Sequence, residues 1–195
     1  MARASLKDVI KEAGQAEFHE HGYSATGIAA ITSRAEAPKG SFYNHFASKE
    51  DLAVEAVREY ALSQRMDLLQ DASLPPLDRI RAHFEAIAAT LQACPVIYGC
   101  MVANFAAELS EQTPLLRNQV ADIYQLWSQF IVADLQEAAN AAGRADFDAE
   151  GTAWTLLDSY EGAAVRARAT GSGAPLENFL RTTMPLMLSA VTGTG

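Results

Sequence analysis

One stretch of the sequence, residues 22–52, limits the possible folds more than any other. It reads GYSATGIAAITSRAEAPKGSFYNHFASKEDL and contains two short helical patterns separated by a tight turn. Thr26 is a candidate N-cap for the first helix, and Pro38 suits the first position of the second. Ser48 and Asp51 match the capping box that starts a further helix. The stretch therefore predicts a helix-turn-helix followed directly by a third helix.

The rest of the chain has apolar residues at helical spacing and no stretch with the period of two that is typical of strands. The helix after residue 49 is expected to run to Leu69. Pro114 should open a helix of roughly 28 residues, since no breaker precedes Gly143. Two more helices are expected at 147–169 and 175–191, with a kink at Pro185. The predicted fold class is all-α, with about nine helices.

The net charge of -9 limits how the chain could bind nucleic acid. Residues 1–52 hold six cations and seven anions, so this segment is close to neutral and the acidity lies in the remainder. A helix-turn-helix can place its second helix in the major groove of DNA. Here such binding would depend on a few placed contacts, because no basic patch surrounds them.

Composition excludes several other classes. The 49% hydrophobic and 20% charged residues are typical of a globular protein, and no run of 18 apolar residues or signal segment is present. Two cysteines are too few for a disulfide framework. We expect a cytoplasmic protein without membrane contact. No metal-spaced set, phosphate loop or nucleophile–base pair is found, so no enzyme, metal or cofactor is expected.

Residues 5–55 resemble the DNA-binding domain of the TetR family of bacterial transcriptional repressors. The resemblance rests on a helix ending in HGY, on Thr26 three residues after Tyr23, and on the segment PKGSFYNHFASKEDL. It implies a DNA-binding domain at residues 1–50 and an effector-binding and dimerisation domain at 51–195. The segment YGCMVANFAAELS, followed by TPLLR, is similar to a subgroup that includes the electrophile- and acrylate-responsive repressors NemR and AcuR.

The turn of the helix-turn-helix departs from the family pattern. The family usually has a glycine and a larger apolar residue there, where this chain has Glu36 and Ala37. We expect the non-glycine residue to be tolerated if its backbone stays out of the left-handed region.

The resemblance assigns the DNA contacts. Lysine can donate to guanine and asparagine can pair with adenine, so the groove-facing residues are expected to be Lys39, Ser41 and Asn44. Gly40 would let the backbone approach DNA. Contacts to phosphate, which set register without reading sequence, are expected from Thr26, Tyr43, His45 and Lys49. Phe42 and Phe46 should pack inward. The alternative is a plain helical hairpin in which Thr26 and His45 serve only as caps.

A homodimer is implied because one short helix reads too few bases. The last two helices would form a four-helix bundle with their copies. The expected interface residues are Leu156, Leu157, Tyr160, Ala164, Leu176, Phe179, Leu180, Met184 and Met187. The alternative is that these side chains form the core of a single chain.

Cys100 is the candidate sensor residue. If its helix begins near Gly99, the thiol lies in the first turn, where the helix dipole favours a thiolate that can be alkylated or oxidised. Asn104 shares its helix face. The alternative is a buried cysteine that acts as a small hydrophobe.

Further residues could line an effector pocket between the central helices. The candidates are Phe105, Tyr124, Trp127, Trp154, Glu161 and Arg168. Glu161 and Arg168 lie two turns apart beside Trp154 and would supply the polar groups. The aromatic residues could equally form a core.

Together these features predict a homodimeric repressor that binds a palindromic double-stranded DNA operator and is released by a small-molecule or thiol-reactive effector. The alternative is an effector-independent activator or architectural DNA-binding protein.

Overall fold

The computed structural model describes residues 5–193, and within that range the chain forms nine α-helices. They are α1 (Leu6–His21), α2 (Ile28–Arg34), α3 (Lys49–Ser63), α4 (Pro76–Ala93), α5 (Met101–Glu108), α6 (Pro114–Ala141), α7 (Ala149–Thr170), α8 (Ala174–Asn178) and α9 (Met184–Thr192). Two 3₁₀ helices, Lys39–Asn44 and Met66–Gln70, and a π-helical turn, Phe179–Thr183, accompany them. The predicted all-α fold is confirmed. None of the described helices is both long and apolar enough to cross a bilayer.

The longer helices begin and end where the sequence places caps and breakers. Pro114 opens α6, which runs for 28 residues to Ala141 as predicted. At the start of α7, Asp148 accepts a 2.8 Å hydrogen bond from the N–H of Gly151. Gly171 ends α7 with a φ of 60°, a conformation that glycine adopts without steric cost.

The helix α3 is shorter than predicted. It ends at Ser63 instead of continuing to Leu69. The reason is Arg65, whose φ of 53° is left-handed and cannot continue a right-handed helix. The chain then resumes as the 3₁₀ helix Met66–Gln70.

The last helical segment contains a π-helical turn just before Pro185, and the predicted kink at Pro185 stays a prediction. The helices α8 and α9 are joined by the π-helical turn Phe179–Thr183. Proline lacks an N–H, and its ring clashes with the carbonyl group four residues earlier, here that of Arg181. A π-helical turn just before Pro185 accommodates this defect while the segment stays helical.

The chain divides into two compact units. The first unit comprises the chain up to Leu62 together with Met101–Ile123. The second unit comprises Ser63–Cys100 and the chain from Tyr124 onward. The first unit therefore includes α5 and the start of α6 in addition to α1, α2 and α3. The predicted functional division after residue 50 stays a prediction.

Each unit has its own apolar core. In the first unit, the ring of Phe105 on α5 packs edge-on against Phe18 on α1, with 5.6 Å between ring centroids. In the second unit, Phe84 on α4 lies 5.4 Å from the ring of Tyr160 and 5.1 Å from that of Phe179. All five side chains are at most 2% exposed. Aromatic packing of this kind contributes more than its buried area alone.

Candidate functional site

The second helix of the helix-turn-helix is a 3₁₀ helix, Lys39–Asn44. Its inner face is fixed by Phe42, which is fully buried, and by Phe46, which is 3% exposed, as the sequence predicted. The outer face carries four exposed side chains, those of Lys39, Tyr43, Asn44 and His45. Two phenylalanine anchors thus present a polar face to the solvent.

Gly40 and Ser41 differ in what the fold requires of them. A Cβ atom added at Gly40 would meet no protein atom within 4 Å, so packing does not require a glycine there. The hydroxyl of Ser41 donates a 2.6 Å hydrogen bond to the carbonyl oxygen of Pro38. Ser41 therefore already closes the first turn of the segment.

The turn before this segment is strained at Glu36. The φ of Glu36 is 49°, so the condition under which a non-glycine residue was expected to be tolerated there is not met. Two backbone hydrogen bonds hold the turn, from the Glu36 N–H to Ser33 and from the Ala37 N–H to Thr32. A non-glycine residue in this conformation costs roughly 1–2 kcal/mol. The neighbouring hydrogen bonds keep the residue there despite that cost.

Thr26 has a structural role that the sequence did not predict. Its side chain is 2% exposed, and its hydroxyl donates a 2.7 Å hydrogen bond to the carbonyl oxygen of Gly22. The N-cap of α2 is Gly27, not Thr26. The expected contact between the Thr26 side chain and a phosphate is replaced by this bond inside the loop.

Lys49 is also occupied within the protein. Its ammonium group donates to the carbonyl oxygens of Tyr23 (2.9 Å) and Thr26 (3.0 Å) and lies 4.2 Å from the centroid of the Tyr23 ring. Burial lowers the pKa of Lys49. Lys49 therefore holds the loop between α1 and α2, and its expected phosphate contact stays a prediction.

Most cations of the helix-turn-helix region are neutralised by neighbouring carboxylates. The ion pairs are Lys7–Glu55 (2.8 Å), Lys11–Glu59 (2.6 Å), Arg34–Glu17 (3.0 Å) and Arg34–Glu20 (2.6 Å). Among described residues 5–52, Lys39 is the cation that makes neither an ion pair nor a hydrogen bond to the protein. The exposed 3₁₀ helix therefore carries the cation that remains available.

In the second unit, three of the predicted effector residues come together. The hydroxyl of Tyr124 donates a 3.3 Å hydrogen bond to Oε1 of Glu161, and the Cys100 thiol hydrogen-bonds the same carboxyl group. Cys100 is 1% exposed and immediately precedes Met101, the first residue of α5. The thiol thus lies at the N-cap position, one residue before the expected first turn.

The cluster of Cys100, Tyr124 and Glu161 contains polar atoms that lack partners. Within the described chain, Oε2 of Glu161 and the hydroxyl of the adjacent Tyr160 are buried without a hydrogen bond. Burial raises the pKa of Glu161 to about 7, while the Cys100 and Tyr124 hydrogen bonds oppose this shift. Burial also raises the pKa of Tyr124 and Tyr160. Such perturbed groups are frequent at functional sites.

The other predicted effector residues do not join this cluster. Phe105 and Asn104 are buried in the first unit, where Phe105 contacts Phe18 and Tyr23. Trp127 is fully buried in the second unit, and its indole N–H donates to His83. These residues form cores, as the alternative interpretation held.

Two further candidates are partly exposed side chains on α7. Arg168 lies beside Gly99, because a Cβ atom added at Gly99 would be 3.5 Å from its Cβ. Trp154 lies two turns before Glu161 on the same helix.

The predicted dimer interface is largely the core of the second unit. Seven of the nine residues are at most 2% exposed, namely Leu156, Leu157, Tyr160, Ala164, Leu176, Phe179 and Met184. Leu180 and Met187 are partly exposed. A single chain already covers these side chains because α4 and α6 contribute apolar stripes to the same core. The prediction that they pair with a second copy is therefore wrong for the seven buried residues.

Two polar contacts between distant segments could not be predicted from the sequence. Glu108 on α5 accepts a 2.6 Å hydrogen bond from the N–H of Ser24. Glu50 on α3 accepts a 3.0 Å hydrogen bond from the N–H of Leu116 in the first turn of α6. Both carboxylates satisfy backbone donors that would otherwise require water.

The exposed 3₁₀ helix Lys39–Asn44 follows α2 across the turn at Glu36. This is the arrangement of a helix-turn-helix DNA-binding protein. Two family models match the chain: "Bacterial regulatory proteins, tetR family" at residues 10–56 and "Tetracyclin repressor-like, C-terminal domain" at residues 76–183. The chain belongs to the TetR family. It is a DNA-binding transcriptional regulator and not an enzyme.

Named relatives match over most of their length. The chain is 34% identical over 194 residues to the HTH-type transcriptional repressor DhaR of Mycobacterium sp. (strain GP1), covering 96% of this chain and 95% of DhaR. It is 31% identical over 175 residues to the transcriptional regulator AcuR of Cereibacter sphaeroides (strain ATCC 17023), covering 87% of this chain and 80% of AcuR. NemR of Escherichia coli (strain K12) matches at 29% identity. These similar identities do not assign the chain to one subgroup.

A solved structure agrees with the fold. The regulatory protein TetR from Rhodobacter sphaeroides superposes with a TM-score of 0.82 at 29% identity, covering 93% of this chain and 98% of that protein. The arrangement of helices described above is therefore that of the family.

Proposed function

We propose that this chain is a homodimeric repressor that binds a palindromic operator and leaves it when a small-molecule or thiol-reactive effector acts on the second unit. The observation that carries the DNA-binding part is the exposed face of Lys39–Asn44, anchored by two buried phenylalanines. The names of relatives such as DhaR support repression as the outcome of binding.

The outer face of the 3₁₀ helix supplies the contacts to DNA. Lys39 would donate to O6 or N7 of guanine, and Asn44 would pair with adenine. Tyr43, which is 61% exposed, and His45 would contact phosphates and set the register. Gly40 has open space above its Cα atom, so the DNA backbone can approach closely.

Two copies are needed to read two half-sites. The revised interface uses the exposed face of α7 and the last helix. Val165 is 50% exposed and Leu186 is 69% exposed, and a Cβ atom added at Gly162 would meet nothing within 4 Å. Exposed apolar side chains beside an uncovered glycine suit close packing against a second helix.

The cluster of Cys100, Tyr124 and Glu161 is the proposed point of effector action. The Cys100 thiol hydrogen-bonds Glu161 and lies at the N-cap position of α5, where the helix dipole stabilises a thiolate. Alkylation would add bulk where the thiol is 1% exposed, so the surrounding helices would have to move.

The second candidate function is an effector-independent DNA-binding protein. One observation favours it: Trp127 and Phe105, which were expected to line an effector pocket, are fully buried side chains of the core. A core already filled by its own side chains is what this alternative predicts.

Gel-shift titration on the DNA upstream of the gene tests the proposal. We expect Lys39→Ala and Tyr43→Ala to weaken binding at least tenfold. Lys7→Ala, which removes a cation already paired with Glu55, serves as the control and should bind like the wild type. Equal binding by all four proteins would exclude the assigned surface.

Treatment with iodoacetamide tests the effector part. We expect it to release the operator from the wild type and from Cys94→Ser, which removes the exposed cysteine, but not from Cys100→Ser. Equal release from all three proteins, or no release from any, would exclude Cys100 as the sensor.

A further inference from the structure

The loop between α1 and α2 is held by side chains from two other helices of the first unit. From α3, Lys49 donates to the carbonyl oxygens of Tyr23 and Thr26 at 2.9 Å and 3.0 Å. From α5, Glu108 accepts a 2.6 Å hydrogen bond from the N–H of Ser24. Lys49 satisfies two backbone acceptors of the loop, and Glu108 satisfies a backbone donor. Two side chains therefore hold the backbone of the loop in place.

The backbone conformation of residue 22 requires glycine, because its φ is 83°. A Cβ atom there would also clash with the Glu108 carboxylate where that group now lies. The Glu108 carboxylate is also close enough to Lys49 to oppose the effect of burial, which lowers the pKa of Lys49. Gly22, Lys49 and Glu108 act on the same loop, because each of them restricts the position of its backbone.

The helix α5 reaches this loop with two residues one turn apart. Phe105 packs against the rings of Phe18 (5.6 Å) and Tyr23 (6.0 Å), and Glu108 follows three residues later on the same face. The same short helix begins at Met101, directly after Cys100. A shift of α5 along its axis would therefore disturb the Glu108–Ser24 bond.

We propose that Glu108 is a positioning residue for operator binding, which holds the loop before α2 through Ser24 and releases it when α5 moves. The proposal rests on the proposed function, in which an effector acts at Cys100. The loop leads into α2, and α2 leads through the Glu36 turn to the 3₁₀ helix Lys39–Asn44 with its exposed outer face. Loss of the bond would let these residues depart from the geometry that the groove requires.

The experiment compares three substitutions at Glu108 with one control. Glu108→Ala removes the acceptor, and Glu108→Asp keeps the charge but shortens the side chain, so both should weaken operator binding about tenfold. Glu108→Gln keeps an oxygen that can accept from Ser24 and should stay within about twofold of the wild type. Glu111→Ala removes an exposed carboxylate just beyond α5 and should bind like the wild type.

A second measurement needs no DNA and so separates this proposal from the proposed function. The amide proton of Ser24, followed by NMR, should exchange at least about tenfold faster in Glu108→Ala and Glu108→Asp than in the wild type. The midpoint of thermal unfolding should change by only a few degrees, because the bond lies at the surface.

Unchanged Ser24 exchange, unchanged operator affinity, or an affinity loss in Glu108→Gln as large as in Glu108→Ala would each overturn the proposal. A wild type that fails to bind its operator would contradict the proposed function instead, while the exchange measurement still decides whether Glu108 holds the loop.

Discussion

The indole N–H of Trp127 donates a 2.8 Å hydrogen bond to Nε2 of His83, whose Nδ1 lies 3.1 Å from the carbonyl oxygen of Arg65. The indole can only donate and the carbonyl can only accept, so His83 is neutral and carries its proton on Nδ1. His83 is fully buried, and burial lowers its pKa to about 4. A second proton, added to Nε2 of His83, would point at the Trp127 N–H, which cannot accept a hydrogen bond.

This arrangement predicts that acid destabilises the second unit through His83. The unfolded pKa is about 6.5, so below that pH the unfolded chain takes up a proton that the folded protein refuses. The free energy of unfolding contributed by His83 is complete above pH 6.5 and falls by about 3 kcal/mol as the pH drops to 4.

Denaturant titration of the wild type and His83→Gln at several pH values measures this effect. The variant should be less stable at pH 7, because the partners of the ring are left poorly paired. The difference in the free energy of unfolding between the wild type and His83→Gln should narrow as the pH falls from 6.5 to 4. A constant gap would contradict the assigned tautomer and burial.

Glu161 should show the opposite pH dependence. Its folded pKa of about 7 lies above the unfolded value, so the folded protein binds the proton more tightly. The stability that this contributes is present below about pH 4.5 and is lost as the pH rises to 7, by about 3 kcal/mol in total. Relative to Glu161→Gln, the wild type should become less stable over that range. Parallel stability curves would show that the carboxyl group is not held in a buried site.

Replacing Glu36 by glycine should stabilise the protein by about 0.5–1 kcal/mol. The substitution removes the strain of a left-handed non-glycine residue, and the greater freedom of glycine in the unfolded chain offsets part of the gain. Ala37→Gly is the matched control and should destabilise, because Ala37 is not among the described non-glycine residues with positive φ. Urea midpoints of both variants check the prediction, and destabilisation by both would contradict it.

Substituting alanine at Gly40 should separate DNA binding from folding. The added methyl group has open space in the protein, so the unfolding free energy should change by less than about 0.5 kcal/mol. Operator affinity should fall about tenfold, since the methyl group occupies the place of the DNA backbone. Thermal unfolding and gel-shift titration of the same preparation measure both quantities. Unchanged affinity would mean that DNA does not approach this face closely.

Local chemistry accounts for what could be predicted from the sequence. Prolines at residues 76 and 114 start helices. The resemblance implied the inward position of Phe42 and Phe46, which are buried, and the outward position of Lys39 and Asn44, which are exposed.

Contacts between distant segments could not be predicted in this way. The resemblance implied that Lys49 contacts phosphate, but it did not indicate the hydrogen bonds of Lys49 to two carbonyl groups more than twenty residues earlier in the chain. The buried face of α7 was predicted to be a dimer interface. Amphipathic spacing indicates that a helix face is covered, but it does not indicate whether the same chain or a second copy covers it. The packing of Phe84 against Tyr160 and Phe179 shows that the cover is intramolecular.

The ion pairs of Lys7, Lys11 and Arg34 affect how the protein distributes over a chromosome. Non-operator DNA competes for any DNA-binding protein through attraction to phosphate, and a genome offers a vast excess of such sites. A protein whose cations are already neutralised by its own carboxylates binds these non-operator sites weakly. We therefore expect more of its molecules to remain free in the cell, so that few copies keep the operator occupied.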